Sequence, residues 1–155
     1  MHNFGKFKTW LLMGLICMVL GCGKTALAND IILNDLNGQA VQLSGYKGKP
    51  VIMLFWTTWC PYCRQEIKNL NEQHAQLEKD GIVALGVNVN EPDYKVKKFF
   101  KDYQLNFKIL LDKSGLLADE YNLLGVPTYI FLDKTGEVIL QANKFPDDYK
   151  SLLCK

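Results

Sequence analysis

Hydrophobic residues between positions 51 and 89 change from an unbroken run to a helical spacing and then to a second run. The first run, Val51–Trp56, contains only apolar residues, which is typical of a central strand covered on both faces. A helix is predicted next, because Pro61 is tolerated at a first helical position, where no N–H bond is lost. The second run, residues 82–89, predicts another buried strand. The positions with helical spacing are Ile67, Leu70, His74 and Leu77, and the predicted helix ends near Gly81.

Shorter patterns predict the remaining elements. Residues 31–33 and 40–43 are predicted short strands around the turn former Asn37-Gly38. The sequence Gly125-Val126-Pro127 interrupts the pattern before the strand-like run Thr128–Leu132. The other predicted elements are helices at residues 94–103, 116–121 and 147–154, and strands at residues 107–111 and 137–141.

The order of these elements, βαβ, then α, then β-turn-β-α, predicts the α/β class with a mixed sheet flanked by helices. Cys60 and Cys63 follow the central strand, so we expect them at its carboxyl end. Open α/β sheets usually place their sites at that edge.

The first 28 residues have the composition of an export signal. Lys6 and Lys8 precede an apolar stretch at residues 10–20, and small residues follow. The apolar stretch is shorter than the roughly 20 residues that span a bilayer.

Two ways of processing this signal remain open. The sequence VLGC, which ends at Cys22, has the form of a bacterial lipobox and predicts lipidation of that cysteine. Residues 26–28 also satisfy the A-x-A rule for ordinary cleavage. Either route, or an uncleaved anchor, places a domain at residues 29–155 outside the cytoplasm, in the periplasm or its equivalent, with a possible lipid anchor to the membrane.

Charge argues against a nucleic-acid partner. The full chain has 18 basic and 16 acidic residues, a net charge of +2. Without Lys6, Lys8 and Lys24 the balance is 15 to 16, or −1. Nucleic-acid binding needs clustered basic charge instead.

The spacing of Cys60 and Cys63 is the most informative chemical feature. Residues i and i+3 share a helix face, so the two thiols lie within disulfide reach. The unpaired N–H groups and the dipole at a helix start favour a thiolate. A static disulfide here would close too small a loop to stabilise much, and a zinc site lacks further ligands. Arg64 after Cys63 excludes the haem-attachment sequence C-x-x-C-H.

The sequence Trp59-Cys60-x-x-Cys63 after an apolar strand, with Val126-Pro127-Thr128 some sixty residues on, resembles the thioredoxin superfamily. The resemblance is closer to the exported TlpA/ResA-type (DsbE-like) branch and covers residues 31–140. It implies a thioredoxin-like fold with an N-terminal β-hairpin and a β-α insertion.

The resemblance also implies roles for individual residues. Cys60 would be the exposed attacking thiol and Cys63 the shielded resolving thiol, and together they would form the redox disulfide. Pro127 would be a cis-proline facing the pair. The expected substrate-binding residues are Trp59, Pro61, Tyr62, Val126 and Pro127.

Glu66 matches the acidic residue of the ResA type, three positions after Cys63. We hypothesise that it is a third catalytic residue, which relays the proton of Cys63; a solvated helix carboxylate is the alternative. The sequence departs from that of cytoplasmic thioredoxins at two places, and both bear on the direction of electron flow. Leu54 stands where cytoplasmic thioredoxins have a buried aspartate, and Pro61-Tyr62 replaces their Gly-Pro.

The resulting prediction is an enzyme that reduces disulfides of exported proteins, for example in cytochrome c maturation, and is recharged by a membrane thiol electron donor. No cofactor or metal is expected. A disulfide-forming oxidant is an alternative. A peroxidase would need a proline at Met53, although Thr57 fits its motif. A copper-binding assembly module would need C-x-x-x-C and a distal histidine.

Overall fold

Six consecutive apolar residues form the strand around which the rest of the chain is arranged. The computed structural model describes residues 31–101 and 103–153. The predicted export signal and Cys154 therefore lie outside the described residues. The strands are β1 (Ile32–Asp35), β2 (Ala40–Gln42), β3 (Val51–Trp56), β4 (Val83–Val89), β5 (Lys108–Asp112), β6 (Thr128–Leu132) and β7 (Val138–Ala142). The helices are α1 (Pro61–Lys79), α2 (Asp93–Phe99), α3 (Leu116–Glu120) and α4 (Tyr149–Leu153).

The strands form one mixed sheet in the order β2-β1-β5-β4-β3-β6-β7. Strands β3, β4 and β5 are parallel, because α1 and α2 carry the chain back between them. The hairpin β1–β2 and the pair β6–β7 are antiparallel, as predicted. The expected α/β fold with a central mixed sheet is thus confirmed.

The two faces of β3 contribute to two separate cores. Leu54 and its neighbours on one face pack in a cluster with α1, and Met53 and its neighbours on the other face pack in a cluster with α3. All six residues of β3 are buried because both faces are covered. The strand therefore ends in the interior, and the loop after it leads directly to Cys60.

Most predicted boundaries differ from the structure by one or two residues, and two differences have a visible cause. Helix α2 ends at Phe99 rather than near residue 103, because the backbone then makes i→i−3 bonds such as Lys101 N–H to Lys98 O. The turn lets Phe99 and Phe100 pack against the ring of Trp56. In the second case, the predicted strand 40–43 stops one residue early and a 3₁₀ turn, Leu43–Tyr46, follows.

We expect Gly86→Ala to destabilise the protein by about 1–3 kcal/mol through overpacking. A Cβ atom at this position in β4 would lie 2.5 Å from Ile109 Cδ1 and 3.0 Å from Phe107 Cε2. Urea unfolding measures the change. Gly45→Ala is the control, because no atom lies within 4 Å of its added Cβ. Equal stabilities of the two variants would contradict this packing.

Candidate active site

Cys60 occupies the N-cap position of α1, with Pro61 as the first helical residue. Its Sγ accepts a hydrogen bond from the Cys63 N–H at 3.3 Å. One of the unpaired N–H groups at the start of this 19-residue helix therefore points at the sulfur. The helix dipole adds to this effect, so negative charge on Cys60 is favoured.

The prediction that Cys60 is exposed is wrong. The residue is 5% exposed, and the Cys63 residue is completely buried, as predicted for the resolving thiol. Cys60 is covered because its side chain turns back over the helix start and its S–H donates to the Val126 carbonyl oxygen at 3.8 Å. Both residues are free thiols in this structure. The Cys60–Cys63 disulfide therefore stays a prediction.

The surroundings of Cys63 oppose its ionisation. Burial, together with the hydrogen bond to the Cys60 sulfur, raises the pKa of Cys63 to about 12, against an opposing effect of Thr57. Cys63 is consequently a neutral thiol at physiological pH. It must lose its proton before it can attack another sulfur.

The peptide bond between Val126 and Pro127 is cis, as predicted. Thr128 Oγ1 donates to the Gly125 carbonyl oxygen at 2.8 Å, and Asn143 Nδ2 donates to the Pro127 carbonyl oxygen at 2.9 Å. Asn143 was not predicted, because it follows β7 and reaches Pro127 only through the β6–β7 pairing.

A groove of about 430 Å³ runs beside the cysteine pair. The exposed aromatic side chains Trp59 and Tyr62, 68% and 76% exposed, flank the pair. Exposed apolar surfaces of this size are typical of contact surfaces for another chain. The groove is lined by Tyr62, Gln65, Glu66, Pro127, Asn143 and Lys144.

Glu66 is half-buried in the wall of this groove. Its Oε2 accepts a hydrogen bond from the Tyr129 hydroxyl at 2.9 Å. In the part of the chain that the structure describes, no direct hydrogen bond joins Glu66 to either cysteine. The simple alternative of a fully solvated helix carboxylate does not describe this geometry.

Glu91 is a buried carboxylate that the sequence analysis missed. It accepts from the Thr58 N–H at 2.7 Å, from the Thr58 hydroxyl at 2.6 Å and from Asn88 Nδ2 at 2.8 Å. On the other side, the Arg64 guanidinium donates twice to the Thr58 carbonyl oxygen, at 3.1 and 3.2 Å. Thr58 is thus fixed from two directions, two residues before Cys60. The available signal was an acid two residues after the buried strand β4.

Among the described residues, no group of three or more His, Cys, Asp or Glu side chains could hold a metal ion. The chemistry that this site offers is carried by the two sulfurs, one at a helix N-terminus and one beneath it.

Sequence relatives carry names that fit this arrangement. The chain is 40% identical over 111 residues to the thiol-disulfide oxidoreductase ResA of Geobacillus kaustophilus, which covers 72% of this chain and 64% of that protein. It is 31% identical over 144 residues to the Bacillus subtilis protein of the same name, with 85% and 80% covered. The match thus spans just under two thirds of the first relative's length.

A solved structure agrees with these matches. A protein from Chlorobium tepidum, described as a putative thiol:disulfide interchange protein DsbE, superposes with a TM-score of 0.72 at 30% identity. The superposition covers 83% of this chain and 92% of that protein.

The fold and the cysteine pair define a thioredoxin-like protein with a C-x-x-C motif opposite a cis-proline. The model of the AhpC/TSA family matches residues 25–141. The chain belongs to this family.

We expect Glu91→Gln to cost about 1–3 kcal/mol of stability, because an amide places a donor against the Thr58 and Asn88 donors. The rate at which iodoacetamide alkylates Cys60 should also change as the loop loosens. Urea unfolding and alkylation kinetics measure both effects. Glu72→Gln, at an exposed position of α1, is the control. A variant that matches this control in both measurements would show that Glu91 does not hold the loop.

The raised pKa of Cys63 predicts a loss of stability at alkaline pH. Between the ordinary value of 9.0 and about 12, the thiol is protonated in the folded protein and ionised in the unfolded chain. The unfolded state then binds fewer protons, so the free energy of unfolding falls as pH rises through this window and is unaffected below it. Denaturation of reduced protein above pH 9 tests this. The reduced Cys63→Ala variant should lose less stability over this pH range. Parallel curves of stability against pH for the two proteins would contradict the raised pKa of Cys63.

Proposed function

We propose that this protein is an extracytoplasmic thiol-disulfide oxidoreductase that reduces disulfide bonds of exported proteins. The observation that carries the proposal is the unequal environment of the two sulfurs. Cys60 caps a helix, where a thiolate is favoured, while Cys63 is held neutral and buried behind it.

The reaction requires two exchanges. The Cys60 thiolate attacks one sulfur of the substrate disulfide, so a Cys60–substrate disulfide forms and the other substrate sulfur leaves as a thiolate. Cys63 then loses its proton and attacks the Cys60 sulfur. The Cys60–Cys63 disulfide forms and the second substrate sulfur leaves. Two electrons pass from the dithiol to the substrate, and a membrane thiol donor restores the dithiol.

Burial of Cys60 limits which substrates can react. Attack needs an in-line approach to the sulfur, and the Val126 carbonyl oxygen lies against it. An extended substrate segment that takes the hydrogen-bonding position at Val126, beside Pro127, would free the sulfur. Trp59 and Tyr62 would contact the flanking residues, and Pro61 would lie between the two cysteines. Exported proteins with an accessible disulfide, such as apocytochrome c, are the substrate class that we assign.

Glu66 is the proton acceptor in this scheme. It lines the groove into which the substrate would bind. It lies three positions after Cys63, one turn further along α1, and general-base catalysis requires the proton to cross that turn directly or through one water.

The reducing direction is favoured by the resemblance to the TlpA/ResA-type branch, together with the neutral Cys63. An oxidant would need a dithiol state of unusually high stability, and the buried, neutral Cys63 contributes no thiolate to such a state. Measured redox potential separates the two: a value near about −250 mV suits a donor and one near about −120 mV suits an oxidant.

The location follows from the N-terminal sequence. We assign residues 1–28 to an export signal, with either a lipid on Cys22 or cleavage after Ala28. Within residues 31–101 and 103–153, no helix has both the length and the apolar character needed to cross a membrane. Mass spectrometry of the mature N-terminus in its native host distinguishes lipidation from cleavage.

Trapping tests the exchange mechanism. Cys63→Ala leaves Cys60 able to attack but removes the resolving thiol, so mixed disulfides with exported proteins should accumulate. Non-reducing electrophoresis after acid quenching detects them, and mass spectrometry identifies the partners. Cys60→Ala is the matched control and should trap none. If neither variant traps a mixed disulfide, the result would count against the exchange function.

A further inference from the structure

Tyr129 is a fully buried tyrosine whose hydroxyl group lies at the groove beside the cysteine pair. It is the second residue after Pro127 and belongs to β6. Its hydroxyl donates to Glu66 Oε2 at 2.9 Å and lies 3.3 Å from the Glu66 carbonyl oxygen. The resemblance and the motifs assign no role to this residue.

The tyrosine is the fixed member of this pair. Its ring lies 6.0 Å from that of Phe131 and 5.6 Å from that of Phe145, and its strand partner in β3 is the apolar Leu54. Glu66 is on the helix surface, with three rotatable side-chain bonds. The hydrogen bond therefore determines where the Glu66 carboxylate lies, rather than where the tyrosine lies.

The hydroxyl also remains a donor at all relevant pH values. Burial, together with the negative charge of Glu66, raises the pKa of Tyr129 above its ordinary value. A neutral donor that stays protonated can hold the carboxylate oxygen in one place at every pH of interest.

We propose that Tyr129 is the positioning residue for Glu66, holding its carboxylate at the groove wall so that it accepts the Cys63 proton. This inference rests on the proposed role of Glu66. The proton passes from the Cys63 thiol to Glu66, directly or through one water, the Cys63 sulfur bonds to Cys60, and the Cys60–substrate bond breaks. Glu66 then returns the proton to the departing substrate thiolate.

Other charged or titratable groups face Glu66 and stay in place when only the tyrosine hydroxyl is removed. They come from α1 and from the segment after β7. These groups are Tyr62, Lys68, Glu72 and Lys144.

The test separates attack from resolution in one experiment. Reduced protein reacts with an excess of the aromatic disulfide 5,5′-dithiobis(2-nitrobenzoate). Attack by Cys60 releases one coloured thiolate, and resolution by Cys63 releases the second. Stopped-flow absorbance across pH 5–9 gives both rates.

In Tyr129→Phe we expect the first rate to stay within about twofold and the second to fall about tenfold, because the charge-assisted hydrogen bond that orients the Glu66 carboxylate is lost. Tyr149→Phe is the matched control. That tyrosine is also buried, and its hydroxyl donates to Asp80 at the far end of α1, at 3.0 Å. It should leave both rates and the pH profile unchanged.

Two further variants keep the outcome decisive. Glu66→Asp withdraws the carboxylate from the hydroxyl without altering the core, and it should slow the second phase similarly. Glu66→Gln should slow it at least as much, and adding Tyr129→Phe to Glu66→Gln should slow it no further.

The possible failures are distinguishable. If Glu66→Gln slows resolution and Tyr129→Phe does not, the positioning role is overturned while the proton relay stands. If the double variant is slower than Glu66→Gln alone, the tyrosine acts independently of Glu66 and the proposal is again overturned. Normal resolution in both single variants, with mixed disulfides still trapped by Cys63→Ala, overturns the relay and leaves the exchange function intact.

Discussion

The hydrogen bond from the Cys63 N–H to the Cys60 sulfur is the constraint on which the rest of the site depends. It makes Cys60 the N-cap of α1, so one sulfur receives the partial positive charge of the helix start. The same helical turn carries the second sulfur inward, beneath the first. Two chemically identical side chains thereby acquire opposite tendencies, one towards the thiolate and one towards the neutral thiol.

The loop before the cysteines is held by groups from other parts of the sheet. A buried carboxylate is costly unless its oxygens are fully hydrogen-bonded, and Glu91 satisfies this condition through Thr58 and Asn88. Because these partners meet only when β3 and β4 pair, the loop geometry is a product of the sheet. Arg64 adds bonds from the helix side. The position of Cys60 is therefore set before any substrate arrives.

The carboxylate that we assign to proton transfer belongs to helix α1 and not to the central strand. Leu54 replaces the buried aspartate that cytoplasmic thioredoxins carry in this strand. Its partner across the sheet, Tyr129, instead reaches the Glu66 carboxylate of α1. The Glu66 carboxylate consequently lies at the groove wall and not in the core. Binding of a substrate in the groove would change its surroundings. This placement, together with the covered Cys60 sulfur, favours a protein that is most reactive when an extended segment occupies the groove.

The sequence alone determined the order of the elements, the central strand, the cysteine pair at its carboxyl end and the proline opposite. These features depend on local spacing: unbroken apolar runs for β3 and β4, the i, i+3 separation of Cys60 and Cys63, and recognisable motifs. The end of α2 was not predictable in the same way, because packing of Phe99 and Phe100 on Trp56 decided it.

Only the tertiary structure decided the burial of Cys60 and the roles of Glu91 and Tyr129. Each depends on a contact between residues more than thirty positions apart in the chain, such as Cys60 with Val126 or Tyr129 with Glu66. Periodicity reports which face a residue occupies, but it carries no information about which distant side chain will lie opposite. Sheet pairing brings those groups together, and their burial then makes each hydrogen bond necessary.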